Sequence, residues 1–160
     1  SIAACRKIFN ISDVNIKNSM KKMRLKGRLE EIKSGKLKNL IGENRLIIDG
    51  GHNINSAISI SNWVKQQNEK VHLICGMMND KPHKEFVNQF ENSVNSITLV
   101  DIPNQEGSIS KEEFKKKLGN KNIYTAGSIE ESLLMNNKDK NCIFLCAGSL
   151  YLAGEVLNLN

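Results

Sequence analysis

The feature that most constrains the fold is an apolar run that stops abruptly at a cluster of polar residues. The run 46–48 (Leu-Ile-Ile) leads directly into the stretch 49–53 (Asp-Gly-Gly-His-Asn), and a helical pattern follows. This order is typical of an α/β protein, in which a buried strand delivers polar side chains to the carboxyl edge of a parallel sheet. The two glycines allow the backbone to turn tightly and to approach a ligand. The sequence therefore predicts a ligand site at the end of this strand.

From residue 45 onward, strand and helix patterns alternate, which predicts a three-layer, Rossmann-like α/β domain with a mainly parallel sheet. The strands are expected at 45–49, 71–75, 96–100, 122–124 and 142–146. The helices are expected at 55–67, 85–91, 110–118, 128–135 and 150–157. Ahead of them, 1–24 has a helical pattern, 26–32 holds a short extended element, and 34–44 is expected to be a polar loop. We place a boundary between a helical segment at 1–25 and the α/β domain at 26–160.

Side-chain patterns add detail to three of the predicted helices. In the helix at 55–67, the expected buried stripe consists of Ile54, Ile58, Ser61 and Val64. Ser110 and Ser128 are expected to cap the helices that follow them, each with a glutamate three residues on. In the last helix, Tyr151 and Leu152 are expected to belong to the core.

Three strand ends carry glycine followed by polar groups, namely 49–53, 75–81 and 146–151. In a parallel sheet all three lie on one edge, so their coincidence is stronger support for a site than any one of them. Asp49 suits hydrogen bonds from ribose hydroxyls, with a helix cap or a loop ion pair as the alternatives. His52, Asn53 and Ser149 lie at helix starts, which favour a ligand anion. The alternative is that Asn53 and Ser149 are simple caps and His52 is exposed to solvent. Lys81 has a phosphate contact and a pair with Asp80 as alternatives.

Composition excludes several classes of protein. The 160 residues carry a net charge of +6, but the lysines are dispersed and lack interleaved aromatics, so we expect a solvated surface and no nucleic-acid partner. No apolar run approaches the roughly 18 residues of a membrane span, and no signal-peptide pattern opens the chain, so we expect a cytoplasmic protein. The four cysteines form no CxxC pair, and we expect buried, reduced thiols at 75, 142 and 146 and no metal site.

Several catalytic signatures are missing from the sequence. It has no GxxxxGK[ST] phosphate loop, no GxGxxG fingerprint and no helix with paired carboxylates for Mg²⁺. No Ser/His/Asp or Cys/His pattern identifies a nucleophile, and we assign no catalytic residue. The sequence therefore predicts an edge that binds ligands without a phosphate cradle of its own.

Four motifs in order carry a resemblance to a known family. They are Gly-Arg-Leu-Glu at 27–30, Asp-Gly-Gly-His-Asn at 49–53, Gly-Met-Met-Asn-Asp-Lys at 76–81 and Gly-Ser-Leu-Tyr-Leu-Ala-Gly-Glu-Val-Leu at 148–157. In this order they resemble the carboxyl-terminal domain of folylpolyglutamate synthase/dihydrofolate synthase, in the Mur ligase superfamily. The segment 1–24 resembles the last helices of the ATPase domain that precedes it in that family.

The resemblance implies a fold, a reaction and a set of site residues. It implies the Mur ligase carboxyl-terminal fold and an ATP-dependent addition of L-glutamate to dihydropteroate or a folate through an acyl phosphate. Arg28 would contact the phosphates of ATP and Asp49 its ribose, while His52 and Ser149 would hold glutamate. The supporting loops would contain Gly50, Gly51, Asn53, Gly76, Lys81 and Gly148.

The resemblance also implies partners outside this chain. Mg²⁺ and the phosphate loop would belong to an ATPase domain, present in cis or in trans, so the chain alone is expected to be inactive. Two other interpretations stay open. The chain could belong to another Mur-type amino-acid ligase, or it could be a non-catalytic remnant or binding module.

Overall fold

A single six-stranded sheet forms the centre of the protein in a computed structural model, which describes residues 2–9, 11–22, 25–119 and 123–160. The strands are β1 (Glu30–Ile32), β2 (Arg45–Asp49), β3 (Lys70–Cys75), β4 (Ser96–Leu99), β5 (Ile123–Thr125) and β6 (Cys142–Ala147). The helices are α1 (Ile2–Ile8), α2 (Asp13–Lys22), α3 (Lys36–Leu40), α4 (Ile54–Val64), α5 (His83–Asn88), α6 (Lys111–Leu118), α7 (Ile129–Met135) and α8 (Leu150–Leu159). The first residue of the predicted strand at 122–124 lies outside the described residues, as do residues 1, 10, 23 and 24 of the predicted helical segment.

The strand order is β1-β2-β6-β3-β4-β5. Only β1 runs antiparallel to its neighbour among the described strands, and the pairs β2–β6, β6–β3, β3–β4 and β4–β5 are all parallel. Strands β6 and β3 are buried along nearly their whole length, as expected for central strands covered on both faces. The prediction of a mainly parallel sheet is confirmed.

Helices cover both faces of the sheet, which gives the three predicted layers. On one face, α4, α5 and α6 pack through Ile60, Phe86 and Phe114. On the other face, α3, α7 and α8 pack through buried leucines, among them Leu37 and Leu152. Helices that share a face connect β2 to β3, β3 to β4 and β4 to β5, whereas α7 returns the chain to β6 across the opposite face. The burial of Leu152 confirms its predicted place in the core.

Two details of the predicted elements were wrong. The segment 34–44 is not a plain loop, since it contains the short helix α3, anchored by the fully buried Leu37. In α4 the predicted stripe is rotated, because Ile54 and Ile58 are exposed at 40% and 42% while Ala57 and Ile60 are buried. Ser61 and Val64 are buried as predicted, and Ser61 Oγ donates a hydrogen bond to the Gln89 carbonyl at 2.6 Å.

The two helices that precede the sheet are largely exposed, and Ile16 is partly buried. Ile8, Phe9 and Val14 are 74%, 61% and 66% exposed. The helical character predicted for this segment is confirmed over α1 and α2, while the domain boundary near residue 25 stays a prediction. Within the described part of the chain, every helix is too short or too polar to cross a bilayer.

Candidate functional site

The three predicted strand ends meet at one edge of the sheet, because β2, β6 and β3 are parallel neighbours. The loops after β2 and β3 lead to α4 and α5 on one face, whereas the loop after β6 leads to α8 on the opposite face. Loops that diverge in this way open a crevice at the carboxyl ends of the strands, where ligands bind in open α/β sheets.

Two adjoining pockets occupy this edge. The first, which we call the rim pocket, has a volume of about 310 Å³. It is lined by His52, Met78, Asp80, Lys81, Ser149, Leu150 and Tyr151. The second, the turn pocket, has a volume of about 250 Å³. It is lined by Arg28, Leu29, Asp49, Gly51, His52, Asn53, Ser56, Ser59 and Ile60. His52 lines both pockets, so it stands at the boundary between them.

Asp49 is buried and fastens two loops to the end of β2. Its Oδ2 accepts a hydrogen bond from the Leu29 N–H at 2.9 Å, and its Oδ1 accepts one from the Gly51 N–H at 2.7 Å. The Gly50 N–H adds a backbone bond to the Gly27 carbonyl at 2.8 Å. Leu29 has a φ of 42°, a left-handed conformation that these contacts stabilise. The carboxylate therefore organises the turn 27–30 as well as facing the turn pocket.

Arg28 projects from that turn toward the same pocket. Its Nη1 lies 3.9 Å from Asp49 Oδ1 and donates to the Gly27 carbonyl at 3.2 Å. The side chain is 46% exposed, so most of its five N–H donors are available for a ligand. A planar guanidinium in this state suits bidentate contact with phosphate oxygens.

His52 and Asn53 lie at the start of α4. The Asn53 side chain accepts a hydrogen bond from the Ser56 N–H at 2.9 Å, and Ser56 Oγ reciprocates on the Asn53 N–H. Asn53 is thus a helix cap, one of the two roles left open by the sequence. His52 is half-buried, and its Nδ1 lies 3.0 Å from the Gly50 carbonyl oxygen.

The loop after β3 brings Asp80 and Lys81 to the rim pocket. Lys81 Nζ donates to Asp80 Oδ2 at 2.7 Å, which lowers the pKa of the Asp80 carboxyl. The Asp80 side chain is 71% exposed and the Lys81 side chain 28% exposed. The pairing confirms one of the two predicted roles of Lys81 and leaves its other two N–H donors available.

A second loop supports the β3 loop from outside the pocket. The Asn79 N–H donates to the Gly107 carbonyl at 2.9 Å, and the Ile109 N–H donates to the Met77 carbonyl at 3.0 Å. From α5, buried His83 donates through Nε2 to the Met78 carbonyl at 3.0 Å. These contacts fix the backbone that carries Lys81, and no local pattern in the sequence marks them.

Close backbone contacts fasten the β6 loop to both neighbours. The Gly148 N–H donates to the Gly51 carbonyl at 3.1 Å, and Gly148 has a φ of 114°. A Cβ atom at Gly148 would lie 2.8 Å from the Gly76 carbonyl oxygen, so glycine is required by both conformation and space. Ser149 follows as the N-cap of α8, and its Oγ accepts from the Tyr151 N–H at 3.1 Å. Ser149 is almost fully buried beneath the rim pocket.

Tyr151 is not in the core, contrary to the prediction. It is 55% exposed and lines the rim pocket beside Leu150, which is 51% exposed. Met78 also lines this pocket and was not singled out from the sequence. Leu150 and Tyr151 occupy the first two positions of a helix capped by Ser149, and this position is the signal that could have identified them.

The remaining reactive groups lie away from these pockets. Cys75, Cys142 and Cys146 are buried free thiols, as predicted, and burial raises the pKa of Cys146 to about 12. Among residues 2–9, 11–22, 25–119 and 123–160, no three His, Cys, Asp or Glu side chains are grouped so that they could hold a metal ion.

The fold and the site together define a doubly wound α/β domain with its candidate ligand site at the carboxyl edge of the sheet. The chain belongs to the family of the Mur ligase glutamate ligase domain, because the model of that family matches residues 27–150. This match confirms the resemblance seen in the four motifs.

Individual relatives agree with the family assignment. The chain is 24% identical over 165 residues to a dihydrofolate synthase/folylpolyglutamate synthase of Buchnera aphidicola, covering 99% of this chain and 38% of the relative. Its fold matches E. coli FolC in complex with ADP with a TM-score of 0.77, at 20% identity over 98% of this chain and 37% of that one. It also matches a Yersinia pestis folylpolyglutamate synthase/dihydrofolate synthase complexed with AMPPNP and a Mn ion, with a TM-score of 0.74, at 19% identity over 92% and 34%. The chain thus spans less than two fifths of each relative.

Proposed function

We propose that this chain is the glutamate-binding domain of an ATP-dependent folate ligase. The reaction adds L-glutamate to dihydropteroate or to a folylpolyglutamate through an acyl phosphate. One observation carries the proposal: the loops after β2, β6 and β3 converge on a rim pocket that adjoins the arginine-bearing turn pocket. The names of the relatives support the choice of folate over other acceptors.

The rim pocket has the chemistry that a small amino dicarboxylic acid needs. Lys81 supplies a cation, and the buried Ser149 hydroxyl with the first amides of the ten-residue helix α8 supplies further donors for a carboxylate. Asp80 and His52 provide acceptors in the same pocket. Donors and acceptors in one cavity of about 310 Å³ fit a ligand that carries two carboxylates and an amino group.

The turn pocket fits the nucleotide. Arg28 would bind the phosphates of ATP through the N–H donors that the protein leaves available. Both oxygens of Asp49 already accept a backbone N–H, but each retains a second lone pair to which a ribose hydroxyl can donate. When bound, ATP supplies the phosphoryl group that activates the acceptor carboxylate.

The rest of the machinery would come from an ATPase domain, on the same polypeptide or on a partner. We place the Mg²⁺ ligands, the phosphate loop and most of the folate pocket there, so this chain alone would not form the amide. The exposed side chains of α1 and α2, including Ile8 and Val14, are consistent with a segment that packs against such a domain. The cytoplasmic location and the absence of a nucleic-acid partner stay predictions of the sequence.

The test is a ligation assay on the native protein isolated from its source cells, together with its intact mass. It is incubated with ATP, Mg²⁺ and isotope-labelled L-glutamate, with dihydropteroate and tetrahydrofolate as separate acceptors. We expect ADP release matched to a glutamyl amide product, and no product from residues 1–160 alone. Amide formation only with a different amino acid would identify another Mur-type ligase. The absence of any product from the native protein would identify a non-catalytic remnant.

A further inference from the structure

The orientation of the His52 ring determines which of its nitrogens carries a proton. Nδ1 lies 3.0 Å from the carbonyl oxygen of Gly50. A carbonyl oxygen only accepts hydrogen bonds, so Nδ1 is the donor and carries the hydrogen. In the neutral imidazole the other nitrogen, Nε2, then holds a lone pair. The ring therefore presents a proton acceptor at the boundary of the two pockets.

This state of His52 fits an ammonium group and does not fit a carboxylate. A carboxylate accepts hydrogen bonds and would face the Nε2 lone pair unfavourably, whereas an ammonium N–H donates to it. Lys81 and Ser149 line the same rim pocket and carry hydrogen-bond donors, so they suit the carboxylates of the same ligand. The pocket thus offers an acceptor for an ammonium group and donors for carboxylates.

Other acceptors near His52 are less suited to receive a proton. Asp49 is buried, and its carboxylate accepts two backbone N–H groups and lies close to Arg28. Asp80 is largely exposed and paired with Lys81, and this pairing lowers the pKa of the Asp80 carboxyl. A positive charge on His52 lowers the Asp80 pKa further, so His52 and Asp80 are close enough to interact electrostatically. The Tyr151 phenol also lines the rim pocket, but a phenol is not a base near neutral pH.

We infer that His52 Nε2 is the general base that removes a proton from the amino group of the incoming glutamate. The inference rests on the proposed function and gives His52 a catalytic role beyond holding the substrate. A base is required because the amino group of free glutamate is protonated at neutral pH and has no lone pair with which to attack.

The step balances as follows. The ammonium gives one proton to Nε2, and the freed nitrogen lone pair attacks the carbonyl carbon of the acyl phosphate. The bond from that carbon to the phosphate oxygen breaks, and phosphate leaves with the electron pair. A second proton passes from the new amide nitrogen to the departing phosphate, and the imidazolium returns its proton to solvent. The location of His52 between the nucleotide side and the amino-acid side of the site suits this transfer.

Two substitutions in the native protein separate the role of a base from that of a binding group. His52→Asn keeps an N–H that can donate to the Gly50 carbonyl but removes the acceptor at Nε2. His52→Gln places an amide oxygen near the Nε2 position, which accepts a hydrogen bond but is not basic. If His52 is the base, both variants lose about 10²–10⁴-fold in kcat, with a small change in KM for glutamate. In both, kcat rises about tenfold per pH unit toward the pKa of the amine.

Hydroxylamine provides the control nucleophile, because its nitrogen is uncharged at neutral pH and needs no base. We expect both variants to lose far less rate with hydroxylamine than with glutamate, and the hydroxamate that they form also shows that they are folded. A raised KM for glutamate with unchanged kcat would overturn the inference and leave His52 as a binding group. Equal losses with glutamate and hydroxylamine would also overturn it. If the wild-type protein forms neither amide nor hydroxamate, the proposed function itself fails.

Discussion

The contact between the β6 and β3 loops gives the most specific prediction about this site. Gly148 has a φ of 114°, and a Cβ atom there would lie 2.8 Å from the Gly76 carbonyl oxygen and 2.9 Å from Cys75 Sγ. Gly148→Ala therefore adds backbone strain of about 1–3 kcal/mol and overpacking of about 1–3 kcal/mol. We expect the unfolding free energy to fall by about 2–6 kcal/mol, the sum of these two terms.

Two further alanine substitutions in the same chain separate the causes. Gly119 has a φ of 67°, and no atom lies within 4 Å of the place that a Cβ would occupy, so Gly119→Ala reports strain alone, about 1–2 kcal/mol. Gly154 lies inside α8, also without an atom within 4 Å, and Gly154→Ala should stabilise the protein by about 0.5–1 kcal/mol.

Urea unfolding at equilibrium measures all three variants under one condition. At about 2–4 °C per kcal/mol for a chain of this size, Gly148→Ala should also lower Tm by about 4–24 °C. If Gly148→Ala loses no more stability than Gly119→Ala, the β6 and β3 loops do not approach each other as described. The convergence of loops on the rim pocket would then lose its structural basis.

Three other predictions concern the rest of the fold. Thiol labelling of the native chain should modify Cys5 at once and the three buried cysteines only on unfolding, and rapid labelling of more than one thiol would contradict the burial. Burial lowers the pKa of His72, so the unfolded chain binds its proton more readily, and stability should fall as the pH drops below about 6.5. His72→Gln should flatten that part of the stability curve, and an unchanged slope would contradict the assignment. Asp49→Asn should cost about 1.5–3 kcal/mol in urea unfolding, with faster proteolysis near residue 28, and unchanged proteolysis would show that the turn does not depend on the carboxylate.

The sheet could be predicted from the sequence because its strands are apolar runs that end at glycine or polar residues. The five strands from residue 45 onward were predicted close to their observed positions, and parallel pairing then fixed the common edge on which Asp49, His52 and Ser149 lie. The strand ends were therefore predictable as a group, although each of these residues taken alone also has an interpretation that involves no ligand.

Other elements were not predictable because their causes are not local. In α4, two overlapping stripes share Ser61 and Val64, and only contact with the sheet selects Ala57 and Ile60 over Ile54. The helix α3 has one fully buried side chain in five residues, too little for a periodic pattern.

Parts of the site itself also depend on long-range contacts. The Leu29 N–H reaches Asp49 across 20 residues of sequence, and the loop at 105–109 supports the β3 loop from about 30 residues away. Neither contact leaves a mark in the local sequence pattern. The protonation of His52 at Nδ1 likewise follows from one backbone carbonyl, which only the folded structure places beside the ring.

The measurement that tests the account most directly is the KM for L-glutamate of Lys81→Met in the native protein. Removing a charged hydrogen bond of about 1.5 kcal/mol should raise this KM roughly tenfold, while the KM for ATP stays unchanged. Lys84→Met, on the exposed side of the next helix, is the matched control and should alter neither constant. An unchanged KM for glutamate in Lys81→Met would contradict the claim that the converging loops form the amino-acid pocket.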